Sequence, residues 1–173
     1  MKISIFGAGS TYTPGLISRW FDTKKDRIKV DEFCLYDNNK DRLDTVGNYV
    51  IEMLKKEAPS VKVTKTLDLE KATSGISFAV LQMRVGLNVQ RQIDEHICIN
   101  HGFAGQETTG PAGFMLALRQ IPPALEVVQA IKKNSPDAWI ISVENPAGIV
   151  AEALINYGNP KSIGMCHGGY YVR

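Results

Sequence analysis

Lys2-Ile3-Ser4-Ile5-Phe6-Gly7-Ala8-Gly9-Ser10-Thr11-Tyr12-Thr13-Pro14 is the stretch that decides the fold. A short β-rich run ends directly on glycine, and from Thr13 to Phe21 the pattern turns helical. Pro14 falls in the first turn, where a missing N–H costs nothing. Strand, glycine turn and helix in that order open a βαβ unit. In such a turn the first glycine, Gly7, permits the tight bend. The second, Gly9, lets backbone approach a pyrophosphate, and the helix N-terminus at Ser10 and Thr11 offers N–H groups and a positive dipole end. Tyr12 stands where a third glycine would complete G-x-G-x-x-G. Asp37, after the next β-rich run, is placed to accept hydrogen bonds from an adenosine ribose, which favours NAD over NADP. A helix-capping or loop role for Asp37 is the plain alternative, and Lys40 and Arg42 keep a 2′-phosphate reading open.

The same alternation runs outward along the chain. Strands are expected at Glu32–Tyr36, Val61–Thr66, Ser77–Leu81, Ala138–Val143 and Ser162–Met165. Lysines in the Val61–Thr66 run mark it as an edge. Helices are expected at Lys40–Lys56, Leu87–Asn100, Thr109–Lys133 and Ala147–Tyr157, with Pro122-Pro123 kinking or splitting the third of these. Strands alternating with helices imply a mostly parallel sheet covered on both faces, an α/β fold of the doubly wound, Rossmann-like class.

The 173 residues are 44% hydrophobic and 22% charged, ordinary for a globular chain, and a formal charge of +2 supplies no field for nucleic acid or an anionic membrane. No apolar run approaches the ~20 residues that span a bilayer. Cys34, Cys98 and Cys166 are odd in number and widely spaced, which argues against a disulfide framework and for a reducing cytoplasm.

In open α/β sheets ligands bind beyond the carboxyl ends of the strands. Four polar clusters fall there: Arg84 with Arg91; Gln106-Glu107-Thr108-Thr109; Glu144-Asn145-Pro146; and Cys166-His167. The arginines suit phosphate or carboxylate, or are solvated charges. Thr108 or Thr109 suits a helix N-cap, and Asn145-Pro146 an ordinary turn. A thiol beside an imidazole suits a metal or a nucleophile, though Cys166 alone is equally a small hydrophobe. His96 and His101, in a helical stretch, receive no role.

Taken together these segments resemble the family 4 glycoside hydrolases, the NAD-dependent 6-phospho-glycosidases and α-galactosidases. The resemblance lies in K-I-S-I-F-G-A-G-S-T-Y-T-P at the start and L-Q-M-R-V-G at Leu81–Gly86. It continues in F-A-G-Q-E-T-T-G-P-A-G-F-M-L-A-L-R-Q-I-P-P from Phe103, V-E-N-P-A-G-I-V-A-E-A-L from Val143, and Gly164-Met165-Cys166. Q-E-T-T-G-P and Y-T-P are most similar to the 6-phospho-β-glucosidase branch, whereas Cys166-His167 is more like the α-galactosidase and α-galacturonidase members. The resemblance implies a redox-elimination route, in which NAD⁺ takes a hydride from C3, a divalent metal, usually manganese, acts as Lewis acid, and a base removes the C2 proton. It assigns cofactor binding to Gly7, Gly9, Ser10, Thr11 and Asp37, substrate binding to Arg84, Arg91, Glu107 and Asn145, and metal binding to Cys166. It also implies a phosphorylated disaccharide or glycoside as substrate and a homo-oligomer at full length.

On this reading residues 1–166 are an NAD-binding domain and 167–173 begin a C-terminal substrate and metal domain. The base is expected beyond Arg173, and the isolated chain is expected to be inactive. Two other functions share the fold: an NAD-dependent dehydrogenase of the lactate or malate type, and a non-catalytic dinucleotide-binding module.

Overall fold

The computed structural model describes residues 1–23 and 27–166. The elements are β1 (Lys2–Phe6), α1 (Tyr12–Thr23), β2 (Glu32–Tyr36), α2 (Lys40–Glu57), β3 (Lys62–Thr66), α3 (Leu69–Thr73) and β4 (Phe78–Leu81). They continue with α4 (Leu87–Asn100), α5 (Gly110–Asn134), β5 (Trp139–Ser142), α6 (Ala147–Ala153) and β6 (Ser162–Gly164). All six strands join one sheet in the order β3-β2-β1-β4-β5-β6, and every pairing is parallel. This is the doubly wound arrangement expected, with the lysine-bearing β3 at an edge.

Parallel strands need crossovers, and the crossovers cover both faces, so successive strand residues are buried on opposite sides. Ile5 packs with Ile17, Leu35, Val50 and Leu54 beneath α1 and α2. Its neighbour Phe6 packs with Leu81, Val128, Ile131, Ile140 and Leu154 on the other side. The register then sets the functional edge. Phe6 lies opposite both Tyr36 and Leu81, and Leu81 lies opposite Ser142, so β2, β1, β4 and β5 end level. The residues that follow, Gly7, Asp37, Gln82 and Val143, emerge along one line. Between β1 and β4 the chain reverses its progress across the sheet, and that switch point is where open α/β sheets hold ligands.

Three features differ from the sequence expectation. Pro122 and Pro123 do not split α5, which runs unbroken from Gly110 to Asn134. Buried residues lie on either side of the pair, Leu116, Ala117 and Gln120 before it and Ala124, Val127 and Val128 after it, and this burial of both halves outweighs the ~3 kcal/mol proline penalty. The last expected helix stays α only to Ala153. It widens into a π turn over Leu154–Gly158, closed by Asn159 N–H on the Leu154 carbonyl at 2.8 Å. The five-residue α3 was not foreseen. Asp68 caps it, its Oδ1 accepting from Glu70 N–H at 3.0 Å and Lys71 N–H at 3.3 Å.

Candidate functional site

The glycine turn is built against its neighbours in the sheet. Gly7 takes φ +82°, and Gly7 and Ala8 both donate N–H to the Tyr36 carbonyl, at 3.0 and 2.9 Å. A Cβ at Gly7 would meet Met83 Cα and N at 2.9 Å, so the turn is pressed onto the segment leaving β4. Gln82 fastens the two, its Nε2 donating to the Gly7 carbonyl at 3.2 Å and to Thr13 Oγ1 at 2.6 Å. At Gly9 the space for a Cβ is taken by Arg42 Cβ at 2.8 Å and Asp37 Oδ2 at 2.9 Å. Gly9 is therefore required by packing within the protein as well as by any approaching ligand.

Asp37 is buried and already engaged. Its Oδ2 accepts from Gly9 N–H at 2.8 Å, its Oδ1 from Asn39 N–H at 2.9 Å, and Arg42 lies 3.6 Å from Oδ1. A carboxylate has lone pairs for further donors, so a ribose hydroxyl would share this group with the turn. Ser10 orders the start of α1, its Oγ accepting from Tyr12 N–H at 3.2 Å. Thr11 is exposed beside it.

Along the same edge the arginine and glutamate clusters meet. Glu107, only 9% exposed, receives both ends of the Arg84 guanidinium, Nη1 at 3.0 Å on Oε2 and Nη2 at 2.9 Å on Oε1. Arg91 Nε lies 2.8 Å from Glu107 Oε2 and 2.7 Å from Glu95 Oε1. Asn145 Nδ2 donates to Glu107 Oε1. Burial raises the Glu107 pKa, but the Arg84 and Asn145 hydrogen bonds and the two guanidinium charges outweigh it, so the carboxyl is held below its ordinary value. Arg84 before α4, Arg91 within it, Glu107 ahead of α5 and Asn145 after β5 all line one open cleft of about 420 Å³. Tyr12, 72% exposed at the start of α1, lines it too and joins the cleft to the glycine turn.

Gln106 shapes the loop that brings Glu107 in. Its Oε1 accepts from Thr108 N–H at 3.1 Å and Thr109 N–H at 2.7 Å, and from both threonine hydroxyls. Thr109 occupies the N-cap of α5 but makes no side-chain capping bond; Gln106 instead ties down the two residues ahead of the helix, Thr108 and Thr109.

A family model described as family 4 glycosyl hydrolase matches residues 2–173. The chain belongs to glycosyl hydrolase family 4. A probable 6-phospho-β-glucosidase of Bacillus subtilis is 39% identical over 170 residues, 96% of this chain and 38% of that protein. A phospho-α-glucosidase of Clostridium acetobutylicum is 40% identical over 153 residues, 88% of this chain and 34% of that one. Among solved structures, the 6-phospho-β-glucosidase of Thermotoga maritima with manganese, NAD⁺ and glucose-6-phosphate superposes with a TM-score of 0.91 at 33% identity, covering 98% of this chain and 41% of that one. This family 4 chain thus spans about two fifths of the length of the relatives it matches.

Cys166 is exposed and stands two residues past β6, whose pairing is extended by Met165 N–H on the Ser142 carbonyl at 2.8 Å. Among the described residues no group of three His, Cys, Asp or Glu side chains could hold a metal ion. A manganese site therefore does not close on them. His167, beside it, lies outside the described residues, as does the whole 167–173 segment. His96 and His101 each place Nδ1 on the carbonyl four residues back, of Gln92 and Ile97. Glu144 and Gln120 escaped the sequence reading as functional residues. Glu144 was visible as a polar residue at a strand end, but Gln120 sits in an apolar helix with no local signal.

Proposed function

We propose that the chain is the cofactor-binding part of a glycosidase that acts on 6-phosphorylated glucosides by NAD-dependent redox elimination. The observation that carries this reading is the cleft beside the glycine turn. Arg91 donates Nε–H to Glu95 and lies 2.8 Å from Glu107, and among the described residues its two Nη groups make no hydrogen bond. Such a pair matches two oxygens of a phosphate in a bidentate fork. Arg84 and Asn145, oriented by Glu107, offer donors to sugar hydroxyls alongside it. Solved structures of similar 6-phospho-α- and 6-phospho-β-glucosidases hold NAD and glucose-6-phosphate, which supports both halves of the proposal.

The residues fit NAD at the switch point. The turn from Gly7 to Thr11 faces the N-terminus of a 12-residue helix, and Asp37 lies beside it. Bound there, NAD would supply a hydride acceptor for a sugar held in the adjoining cleft. The chain's own part is to bind and orient. Ser10 and Thr11 meet the pyrophosphate, Asp37 the ribose, and Arg84, Arg91, Glu107 and Asn145 the sugar phosphate. Cys166 is the chain's proposed metal ligand. The finer choice of a β-linked substrate rests on Gln106–Pro111 and Tyr12-Thr13-Pro14. The thiols, all free, suit a cytoplasmic setting, and self-association is expected of the full-length protein.

The test is release of p-nitrophenol from p-nitrophenyl 6-phospho-β-glucoside by the full-length protein, with NAD⁺, Mn²⁺ and reductant. Turnover of the β-anomer above the α-anomer supports the reading in full, and the reverse preference overturns only the linkage. Steady NADH accumulation with a hydroxy acid would make the protein a dehydrogenase. The 173 residues alone are expected to bind NAD⁺ and release no p-nitrophenol.

A further inference from the structure

We infer that Glu144 and Gln120 are positioning residues, a buried pair that sets where Arg84 and Asn145 meet Glu107. The inference rests on the reading of the cleft as a sugar-phosphate site. Glu144 follows β5 and is 2% exposed; Gln120 lies in the middle of α5 and is 1% exposed. Glu144 Oε1 accepts from Gln120 Nε2 at 2.9 Å and from Met83 N–H at 3.1 Å. Gln120 Oε1 in turn accepts from Val85 N–H at 3.1 Å. The two amides that flank Arg84 are thus held by side chains.

The sheet cannot hold them. The last strand-to-strand bonds along β4 are Gln82 N–H on the Phe6 carbonyl at 3.0 Å and Val143 N–H on the Leu81 carbonyl at 2.9 Å, so the ladder stops before Met83. The residue after Glu144 is Asn145, which donates to the same Glu107 that Arg84 grips. One pair therefore ties the segment bearing Arg84, the segment bearing Asn145 and the helix α5 into a fixed relation. Core filling alone does not account for it. A leucine or methionine would fill the same space without desolvating a carboxyl and an amide, whereas only acceptors satisfy Met83 and Val85 N–H.

Full-length protein carrying Glu144→Leu, Gln120→Leu or Glu144→Gln tests this by hydrogen exchange of the 82–86 segment, followed by mass spectrometry. Calorimetric titration with glucose 6-phosphate and, separately, NAD⁺ completes the test. The leucine variants are expected to speed exchange and weaken glucose 6-phosphate binding, each by about tenfold or more, as loss of a buried acceptor predicts. NAD⁺ affinity is expected to stay within about twofold, which reports an intact fold. Glu144→Gln keeps the acceptor and is expected to restore both readouts. Gln120→Leu carries the test if Glu144→Leu does not fold. Unchanged exchange in the leucine variants, or faster exchange with undiminished glucose 6-phosphate affinity, overturns the proposal. If the unmodified protein binds no glucose 6-phosphate, the reading of the cleft fails instead, and exchange still decides whether the pair holds the segment.

Discussion

Gly7 combines φ +82° with a neighbour, the Met83 backbone, standing 2.9 Å from where a Cβ would be. A side chain there meets two obstacles, a left-handed conformation costing roughly 1 kcal/mol and a backbone that must move aside. Gly7→Ala is accordingly expected to destabilise the protein by about 2–3 kcal/mol. Because Met83 precedes Arg84, it should also weaken both NAD⁺ and glucose 6-phosphate. Urea unfolding and two binding titrations check this; an unaltered midpoint would mean that the turn does not press on Met83. Gly7 was legible in the sequence because its demand is local, a bend between a strand and a helix. Gly9 was legible as a glycine but only half understood, since Arg42 and Asp37, which fill its missing Cβ, come from the second βα unit. For Glu107 the sequence supplied the residue but not its partners, because the contacts with Arg84 and Asn145 span 23 and 38 residues.

At the scale of elements, the central strands β1, β2 and β4 were readable because each is short and largely apolar and buried, and the lysines of β3 marked an edge. The helices were readable where a long amphipathic repeat existed. The five residues of α3 hold too little pattern to show, and the prolines of α5 do not split the helix because burial on both sides, invisible to local propensity, keeps it continuous through them. Gln106 belongs to this level, since its effect is on a helix start and a loop. Its Oε1 gathers two backbone N–H groups and two hydroxyls ahead of the 25-residue α5. Gln106→Ala should cost about 1 kcal/mol of stability, as loss of a turn's side-chain hydrogen bonds does, and leave the loop bearing Glu107 less ordered. Glucose 6-phosphate binding should then fall more than NAD⁺ binding. Equal loss of both ligands would place Gln106 in the general stability of the fold rather than at the cleft.

At the scale of the whole molecule, two carboxyls that share one edge of the sheet are driven in opposite directions. Glu107 is held below its ordinary pKa by its arginines and Asn145, so its contribution to stability is present above the ordinary carboxylate pKa and is lost as pH falls from there through the lowered folded-state value. Burial pushes Glu144 up to about 8, against the hydrogen bonds from Met83, Ser142 and Gln120 that pull it down. Glu144 is therefore neutral in the folded protein near pH 7, while the unfolded chain ionises it above about 4.5. Between those values the folded state binds the extra proton, and stability must decline as pH rises. At neutral pH the loss is on the order of 3 kcal/mol, at ~1.4 kcal/mol per pKa unit. Glu144→Gln removes the titration while keeping an acceptor for Met83 and Gln120. It should leave the protein little changed near pH 4.5 and progressively more stable than the parent up to pH 8, which denaturant unfolding across that range can read. A parent and variant that run parallel across the range would show that Glu144 is already ionised when folded. The neutral carboxyl would then have to be abandoned, though its hydrogen bonds to Met83 and Gln120 would stand.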